Sequence, residues 1–353
     1  MNTFFLDRLN SEPHALAFAG QSTPWPVALA DQSANPALDE ALHTHAAAAQ
    51  ALLYPVSAEL LATTGRPVDL FGFEPNPARL GAAAAASASV PGIALTQLGA
   101  LLDAAALGYN PAQAKPVVVL GHSQGVLAVH MVQAICEAGS IDAAAAKIDE
   151  ILAIATLIGV AGTRQARQLG LAARHGEATP MLSVKDITRA QVDALIERVD
   201  GARGPIAVAV TNSATHYVLS GYPEDLAAFG VEVAKEHKRQ AKLREEKVRG
   251  GRVFDPTLEY LDVTLPFHSP LMADAVSQAV AWAEACGINA DHARELAAEV
   301  LLNHEDWAAR VRALMKSTDP SALWVLDFGP GNTVGKLFST VAQGTGVGVV
   351  EAS

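Results

Sequence analysis

The fold of this chain is decided by Val117-Val118-Val119-Leu120-Gly121-His122-Ser123-Gln124-Gly125, which Val126-Leu127-Ala128-Val129 follows directly. A β-branched apolar run, typical of a buried strand, ends in Gly-x-Ser-x-Gly and continues into a helical pattern. In a strand–turn–helix of this kind the serine stands on a strained turn, with its hydroxyl exposed and a helix N-terminus beneath it. The five residues alone also fit an ordinary glycine-flanked turn. The flanking strand and helix favour Ser123 as a nucleophile.

Length and composition set the broad class. The chain has 353 residues, of which 50% are hydrophobic and 18% charged, as in a globular protein with a large core. The uncharged stretch from Leu80 to Leu102 is long enough to raise the question of a membrane span. It is mostly alanine and serine and contains Pro91-Gly92, so we expect a loop followed by a buried helix and no membrane partner.

The termini and cysteines bear on the compartment. The N-terminus lacks a basic segment followed by a long apolar core, so no signal peptide is evident. Cys136 and Cys286 have neither metal-site spacing nor a disulfide framework. This usage is typical of a reducing environment, and we expect a cytoplasmic protein.

Charge is unevenly distributed along the chain. The net charge of -12 argues against nucleic acid as a partner. One segment is basic, with Lys235, Lys238, Arg239, Lys242, Arg244, Lys247, Arg249 and Arg252. It is either a solvated helix running into an exposed loop or a docking surface for an acidic or phosphate-bearing partner.

Short apolar strands alternate with long helices over most of the chain. A first buried strand at 14–20 is closed by Gly20-Gln21-Ser22-Thr23-Pro24, and further strands are expected at 117–120, 323–328 and 346–350. Alternation of this kind predicts a mainly parallel sheet covered by helices on both faces.

The middle of the chain has a different pattern. Strands are predicted at 181–184, 206–210, 216–220 and 258–265, with helices at 187–199, opened by Asp186, and at 223–236. The order β-α-β-β-α-β is the ferredoxin-like arrangement. We therefore predict an α/β fold in which a hydrolase-like core, residues 10–178 and 266–353, carries a ferredoxin-like subdomain at 179–265.

A serine nucleophile needs a base, because its hydroxyl is unreactive at neutral pH. Among 11 histidines, His268 has the best setting, after the apolar run ending in Phe267 and before a helix start at Ser269-Pro270. We expect it at the carboxyl end of a strand, on the same sheet edge as Ser123. Oxyanion donors are expected from the N–H of Gln124 and from the loop at Gly20-Gln21-Ser22. No spacing of histidines and carboxylates indicates a metal site.

Five motifs occur in an order that resembles a known family. They are Phe18-Ala19-Gly20-Gln21, Gly121-His122-Ser123-Gln124-Gly125, Asn212-Ser213, Pro266-Phe267-His268-Ser269-Pro270 and Asp327-Phe328-Gly329-Pro330-Gly331. This is the order of the malonyl/acyl-CoA:acyl carrier protein transacylases. Gln124, Phe71-Gly72-Phe73-Glu74-Pro75 and the stretch 249–256 bring the resemblance closer to the acetyltransferase domain of type I fatty acid synthases of actinobacteria and fungi.

The resemblance implies roles for particular residues. Ser123 is similar to the family's nucleophile and His268 to its base, oriented by a main-chain carbonyl that would belong to Asn303 or His304. The amides of Gln21 and Gln124 are similar to those of the oxyanion hole, and Asn212 is similar to a pocket asparagine of the ferredoxin-like subdomain.

One position departs from the malonyl-selective members of the family. Where they carry an arginine that pairs with the substrate carboxylate, this chain has Ile158. A buried carboxylate without that partner would be costly, so the isoleucine favours a small uncharged acyl group. Arg164 and Arg167 lie about two turns further on and would restore malonyl binding if the register differs.

The resemblance thus implies acetyl transfer from acetyl-CoA, through an acyl-serine, to the phosphopantetheine thiol of an acyl carrier protein. It implies no permanently bound cofactor and, as partners, the other domains of a fatty acid synthase. The alternatives are a malonyl-CoA transacylase, a serine hydrolase or thioesterase that would use Asp255 or Asp262 as a third member, and a scaffold domain.

Overall fold

The computed structural model describes residues 12–65, 67–70, 86–171, 178–245 and 254–351. Three of the sequence features lie outside these ranges. They are the motif at 71–75, most of the motif at 249–256, and the basic residues Lys247, Arg249 and Arg252. The described part contains two separate four-stranded sheets, one parallel and one antiparallel.

The parallel sheet has the strand order β2-β1-β7-β8. Its strands are β1 (His14–Phe18), β2 (Val118–Gly121), β7 (Trp324–Asp327) and β8 (Gly348–Glu351). Strand β1 is buried along its whole length and pairs in register with β2, Phe18 lying opposite Gly121. Because parallel strands end at one edge of their sheet, the residues after β1 and β2 meet there. The predicted parallel sheet is confirmed.

The antiparallel sheet has the order β4-β5-β3-β6. Its strands are β3 (Met181–Lys185), β4 (Ala207–Ser213), β5 (His216–Ser220) and β6 (Thr257–Tyr260), with helices α8 (Arg189–Ile196) and α9 (Pro223–Glu245) between them. This chain order and strand order are those of the ferredoxin-like fold, as predicted.

Two boundaries in this sheet differ from the prediction. Helix α8 is capped by Thr188, whose side chain forms a capping box with Gln191, and not by Asp186, whose φ of 62° places it outside the helix. Strand β6 stops at Tyr260 instead of Leu265, and its last backbone bond to β3 is donated by the Leu261 N–H to the carbonyl of Met181, the first residue of β3. The segment 261–269 is therefore irregular.

The remaining helices cover the parallel sheet. They are α1 (Trp25–Ser33), α2 (Pro36–Leu52), α3 (Ser57–Thr64), α4 (Ala86–Ala106), α5 (Pro111–Ala114), α6 (Val126–Ala138), α7 (Ile141–Gln168), α10 (Ala273–Ala285), α11 (Ala290–Leu301), α12 (Trp307–Ser317) and α13 (Thr333–Val341). The apolar faces of most of them form one large core cluster with Leu16, Phe18 and Leu326 of the sheet. Helices α12 and α13 belong to a second cluster, with Ala15, Ala17 and Val325.

Helix α4 corrects the expectation of a loop at Pro91-Gly92, since both residues lie inside the helix. Pro91 removes one backbone hydrogen bond of the helix, because proline has no N–H. Gly92 is required because a Cβ there would lie 2.4 Å from the Trp25 ring. Among the described helices, α4 alone is long and apolar enough to cross a membrane, but 83% of its apolar window is buried within the protein. It is thus a helix of the core.

Candidate active site

Ser123 lies on the sharp turn between β2 and α6, with a φ of 55°. The two flanking glycines permit this turn. A Cβ on Gly121 would lie 2.4 Å from the carbonyl carbon of Gly125, and a Cβ on Gly125 would lie 2.3 Å from the carbonyl oxygen of Phe18. Neither position can hold a side chain, so the turn packs directly on the end of β1. Ser123 stands at the predicted edge of the parallel sheet and is 8% exposed.

His268 lies in the irregular segment that follows β6, and not at the end of a strand as expected. Its φ of 54° is positive, which is uncommon for a residue with a side chain. The next residue fixes this conformation: the Ser269 N–H donates to the carbonyl of Leu301 (3.0 Å), and its hydroxyl accepts from the Leu271 N–H (3.3 Å). Backbone contacts with the end of α11 thus hold His268 in place.

The structure brings Ser123 and His268 together. The Oγ of Ser123 lies 2.7 Å from His268 Nε2, and His268 Nδ1 donates to the main-chain carbonyl of Asn303 over 2.7 Å. Because a carbonyl can only accept, Nδ1 carries the ring proton and Nε2 is free to accept from the serine. Of the two carbonyls suggested by the sequence, it is that of Asn303 that contacts the ring. His304 turns its own ring to Val208, 2.8 Å from the carbonyl oxygen.

Burial tunes the electrostatics of His268, which is 2% exposed. Burial lowers the pKa of His268 to about 4, opposed by the Asn303 carbonyl and reinforced by the neighbouring charges of His122, His304 and Arg310. The imidazole is therefore neutral at pH 7 and able to take a proton from the serine.

Asn212, at the end of β4, reaches the turn from the antiparallel sheet. Its Oδ1 accepts from Nε2 of His122 (2.8 Å), the residue before the serine, and its Nδ2 faces Nε2 of His216 (3.4 Å). The Ser183 hydroxyl also donates to His216 Nε2, over 3.0 Å. Burial lowers the pKa of His122, and that of His216 to about 4, so neutral rings suit this network. Asn212 thus holds His122.

The loop after β1 lies against the turn. A Cβ on Gly20 would be 2.9 Å from the Ser123 Cβ and 3.3 Å from the Gln124 nitrogen. The side chain of Gln21 donates to that of Gln124, which in turn donates to the carbonyl of Val90 over 2.7 Å. These side chains are thus engaged with each other and with the backbone.

One residue that sequence reasoning missed supports this loop. Gln97, on α4, is fully buried, and its Nε2 donates to the carbonyls of Ala19 (2.7 Å) and Gly329 (3.2 Å). It ties the loop after β1 to the loop after β7. The only signal in the sequence was a single glutamine in a mostly apolar helix.

A cavity of about 290 Å³ opens next to Phe267 and the loop after β1, and neither Ser123 nor His268 is among its lining residues. It is bounded by the loop after β1, the start of α1, Ser89 of α4 and the segment before His268; its lining residues are Gln21, Ser22, Thr23, Trp25, Pro26, Ser89, Asp262, Val263, Thr264 and Phe267. Within the described ranges, no group of three or more histidines, cysteines or carboxylates could hold a metal ion.

The other predicted positions lie elsewhere. Ile158 is fully buried in the main apolar cluster on α7 and is not part of the cavity lining. Arg164 donates to Gln278 of α10 over 2.8 Å, and Arg167 donates to the carbonyl of Thr63. Both arginines are thus engaged with neighbouring elements at the surface.

Neither acid proposed as a third catalytic member forms a hydrogen bond with His268 among the described contacts. Asp255 pairs with His237 at 3.4 Å and its side chain is 77% exposed, whereas Asp262 lines the cavity. The Nδ1 position of His268, where such an acid would bind, is occupied by the Asn303 carbonyl.

Comparisons with protein sequences point to fatty acid synthases. Residues 180–260 match the family "Fatty acid synthase central AT domain". The chain is 25% identical over 282 residues to the fatty acid synthase beta subunit hexB of Dothistroma septosporum, covering 70% of this chain and 14% of that protein. It is also 25% identical over 298 residues to the fatty acid synthase subunit beta of Saccharomyces cerevisiae, covering 75% of this chain and 14% of that protein. The chain therefore spans about one seventh of the length of these relatives.

Solved structures match the fold over nearly the whole chain. The malonyl-CoA–acyl carrier protein transacylase of Coxiella burnetii has a TM-score of 0.62 at 17% identity, covering 97% of this chain and 94% of that one. The enzyme MCAT of Mycobacterium tuberculosis has a TM-score of 0.60 at 20% identity, covering 96% and 95%. The comparisons confirm the resemblance seen in the sequence: the chain has the transacylase fold and is similar to fatty acid synthase beta subunits, with the central acyltransferase domain matched at 180–260.

Proposed function

We propose that this protein is an acyl-CoA:acyl carrier protein S-acyltransferase of a fatty acid synthase, and that it loads acetyl groups. The observation that carries the proposal is the hydrogen-bonded chain from the Ser123 hydroxyl through His268 to the Asn303 carbonyl, with 2.7 Å at each step. A solved relative of the same fold is a malonyl-transacylase in complex with an acyl carrier protein, which supports such a carrier as partner.

In the first half-reaction, acetyl-CoA enters the cavity beside Gln21. Nε2 of His268 takes the proton of Ser123 as its Oγ attacks the thioester carbonyl. The resulting oxyanion lies between the main-chain amides of Gln21 and Gln124. The carbon–sulfur bond then breaks, and the imidazolium returns its proton to the sulfur of the departing coenzyme A, leaving an acetyl-serine.

The second half-reaction is the reverse with a new thiol. The phosphopantetheine thiol of the carrier protein gives its proton to His268 and attacks the ester carbonyl. The ester bond to Ser123 breaks, the serine recovers the proton, and the acetyl group leaves on the carrier. This two-step exchange is ping-pong, with one site serving both substrates.

The orienting group favours transfer over hydrolysis. A buried carboxylate on Nδ1 stabilises the imidazolium, as in serine hydrolases. The neutral carbonyl of Asn303 fixes the tautomer but adds no negative charge. Water is thereby activated less strongly, and a thiol, which is more acidic, remains a competent acceptor.

We infer selectivity for acetyl over malonyl from the isoleucine at position 158. Ile158 does not line the described cavity, but it is fully buried in an apolar cluster, so this position offers no charged partner to a malonyl carboxylate. The arginines that could have paired with malonyl, Arg164 and Arg167, bond to Gln278 and Thr63.

The organisation of the longer protein is part of the proposal. We infer two units, a core at 10–178 and 266–353 and a subdomain at 179–265, working among the other domains of a cytoplasmic synthase. Substrates are coenzyme A thioesters and the carrier's phosphopantetheine, and no cofactor is held permanently.

The test separates the two half-reactions. The protein is mixed with radiolabelled acetyl-CoA, freed of coenzyme A, and divided between buffer and an acyl carrier protein bearing phosphopantetheine. We expect the label to stay on the protein in buffer and to move to the carrier. Rapid release of acetate in both samples would instead indicate a hydrolase.

The acyl preference is measured by competition. Equal concentrations of acetyl-CoA and malonyl-CoA are offered to the protein, and the two acyl-serine products are compared by mass. We expect mainly acetyl-serine. A predominance of malonyl-serine would contradict the acetyl assignment while leaving acyl transfer intact.

A further inference from the structure

The segment from Asn303 to Arg310 contacts both halves of the Ser123–His268 pair. Its first residue, Asn303, accepts from the ring of His268. Its last residue, Arg310, donates from Nη1 to the main-chain carbonyl of Gly121 over 3.1 Å. Gly121 ends strand β2, two residues before Ser123. A single short segment is thus attached to the base at one end and to the nucleophile's turn at the other.

Between these ends, Glu305 fixes the segment to the antiparallel sheet. Its N–H donates to the carbonyl of Ala209 over 3.0 Å, and its carbonyl accepts from the N–H of Thr211 over 2.8 Å. These bonds flank Val210 of β4, so the segment adds a short parallel bridge to that strand. Next to it, Asn212 holds His122. The backbone of Glu305 therefore sets the segment in register with β4.

The side chains of Glu305 and Arg310 form an ion pair within this segment. The Glu305 carboxylate is 6% exposed, and its Oε2 lies 3.3 Å from Nη2 of Arg310, whereas its Oε1 has no hydrogen-bond partner among the described residues. A buried carboxylate with one oxygen that lacks a hydrogen bond is costly in folding free energy. Stability alone is therefore a weak reason for a glutamate at this position. The same guanidinium meets the Glu305 carboxylate through Nη2 and the Gly121 carbonyl through Nη1.

We propose that Glu305 and Arg310 are a positioning pair for the acyl-transfer step, in which the oriented guanidinium ties the Ser123 turn to the segment that orients His268. Neither residue touches the reacting atoms. This inference deepens the proposed function and rests on it, since it concerns the same Ser123 and His268. The pair keeps the serine oxygen and the histidine nitrogen at hydrogen-bonding distance, where small displacements are costly in rate.

The cation has a second, electrostatic consequence that a merely structural contact would lack. Burial is the main cause that lowers the pKa of His268, and the permanent positive charge of Arg310 lowers it further, as do interactions with His122 and His304. Around Glu305 the charged neighbours are Arg310, Glu299 and Asp306. Loss of the Arg310 charge should therefore raise the pKa of His268 and move the acid limb of its pH–rate profile to higher pH.

The variants are Arg310→Met, Arg310→Lys and Glu305→Gln, with Arg312→Met as the matched control. Arg312 lies on the same helix and is exposed. Two rates are measured at several pH values: single-turnover acylation of Ser123 by acetyl-CoA, and labelling of Ser123 by a fluorophosphonate, which reports an activated serine whatever its natural substrate is.

We expect Arg310→Met to slow both rates by about 10- to 100-fold with little change in the KM for acetyl-CoA, because geometry and not binding is lost. Its acid limb should move to higher pH. Arg310→Lys should recover the position of the acid limb but only part of the rate, since an ammonium cannot span Glu305 and Gly121 as a planar guanidinium does. Glu305→Gln should slow both rates less than Arg310→Met does.

The outcomes separate the two proposals. If the wild-type protein is acylated and Arg310→Met and Glu305→Gln behave like Arg312→Met, the positioning pair is wrong and the proposed function stands. If fluorophosphonate labelling responds as expected but acetyl-CoA and malonyl-CoA never acylate Ser123, the proposed function fails. Should Arg310→Met not fold, Arg310→Lys and Glu305→Gln decide: full wild-type rates in both would overturn the inference.

Discussion

The two members of the candidate dyad are held in very different ways. Ser123 and His268 share an unusual backbone, with φ values of 55° and 54°. The serine stands in a regular strand, turn and helix, and glycines permit its conformation within five residues of chain. The histidine stands in an irregular segment and depends on Leu301 and Asn303, more than 30 residues away. The candidate nucleophile is thus positioned by local structure and the candidate base by tertiary contacts.

We expect the largest effect on stability and acylation from Gly125→Ala, which disrupts the turn that carries Ser123. The new Cβ would lie 2.3 Å from the carbonyl oxygen of Phe18 in the central strand, a contact that backbone must move to relieve. We expect a loss of about 3 kcal/mol or more in the free energy of unfolding, measured in urea, together with loss of acylation.

Gly139→Ala is the control for this substitution. Gly139 also has a positive φ of 89°, but a Cβ there would meet nothing within 4 Å. It should cost only about 1 kcal/mol and leave acylation unchanged. Equal effects of the two substitutions would show that the close packing of the turn on β1 is unimportant.

His268→Ala removes the histidine that tertiary contacts hold beside Ser123. We expect it to change the stability of the fold less than Gly125→Ala does, but to lower the acylation rate strongly. General-base catalysis contributes about 10²- to 10⁴-fold, so single-turnover acylation should fall within that range. Circular dichroism and urea unfolding check that the chain remains folded. Acylation within a few-fold of wild type would exclude His268 as the base.

The smallest effect is expected from pH, and it tests how the base is buried. The pKa of His268 is lowered to about 4, and the active form is the neutral ring, so acylation should fall to half at about pH 4 rather than at the 6.5 of an ordinary histidine. Since the ring binds a proton less readily in the folded chain, its stabilising contribution is present above pH 6.5 and is lost as pH falls towards 4.

His216→Asn provides the control for that profile. The pKa of His216 is also lowered to about 4, but its ring contacts Asn212 and Ser183 and not Ser123. The substitution should leave the acid limb where it is. An acid limb near pH 6.5 in the wild-type protein would mean that His268 is solvated in solution.

The same contrast explains what could be predicted from the sequence. Local patterns of hydrophobic periodicity and glycine placement predict the strand–turn–helix at Ser123, the parallel sheet and the ferredoxin-like strand order. The structure contains all three. The pairing of His268 with Ser123 was expected from a strand end. In the structure β6 ends at Tyr260, and His268 reaches Ser123 from the irregular segment that follows.

Features that depend on contacts between residues far apart in the chain could not be predicted from the sequence. Gln97, Glu305 and Arg310 have no motif of their own, and their roles come from carbonyls that only the folded chain places beside them. Pro91 was expected to break a helix. The structure keeps it inside α4, a helix whose residues are mostly buried, and Gly92 beside it accommodates the Trp25 ring.

Intact-mass measurement after mixing the protein with acetyl-CoA alone tests whether Ser123, positioned by local structure, and His268, positioned by tertiary contacts, form one acyl-transfer site. We expect a single added acetyl group that maps to Ser123 and is absent in Ser123→Ala. No adduct in the wild-type protein, or one that persists in Ser123→Ala, would contradict it.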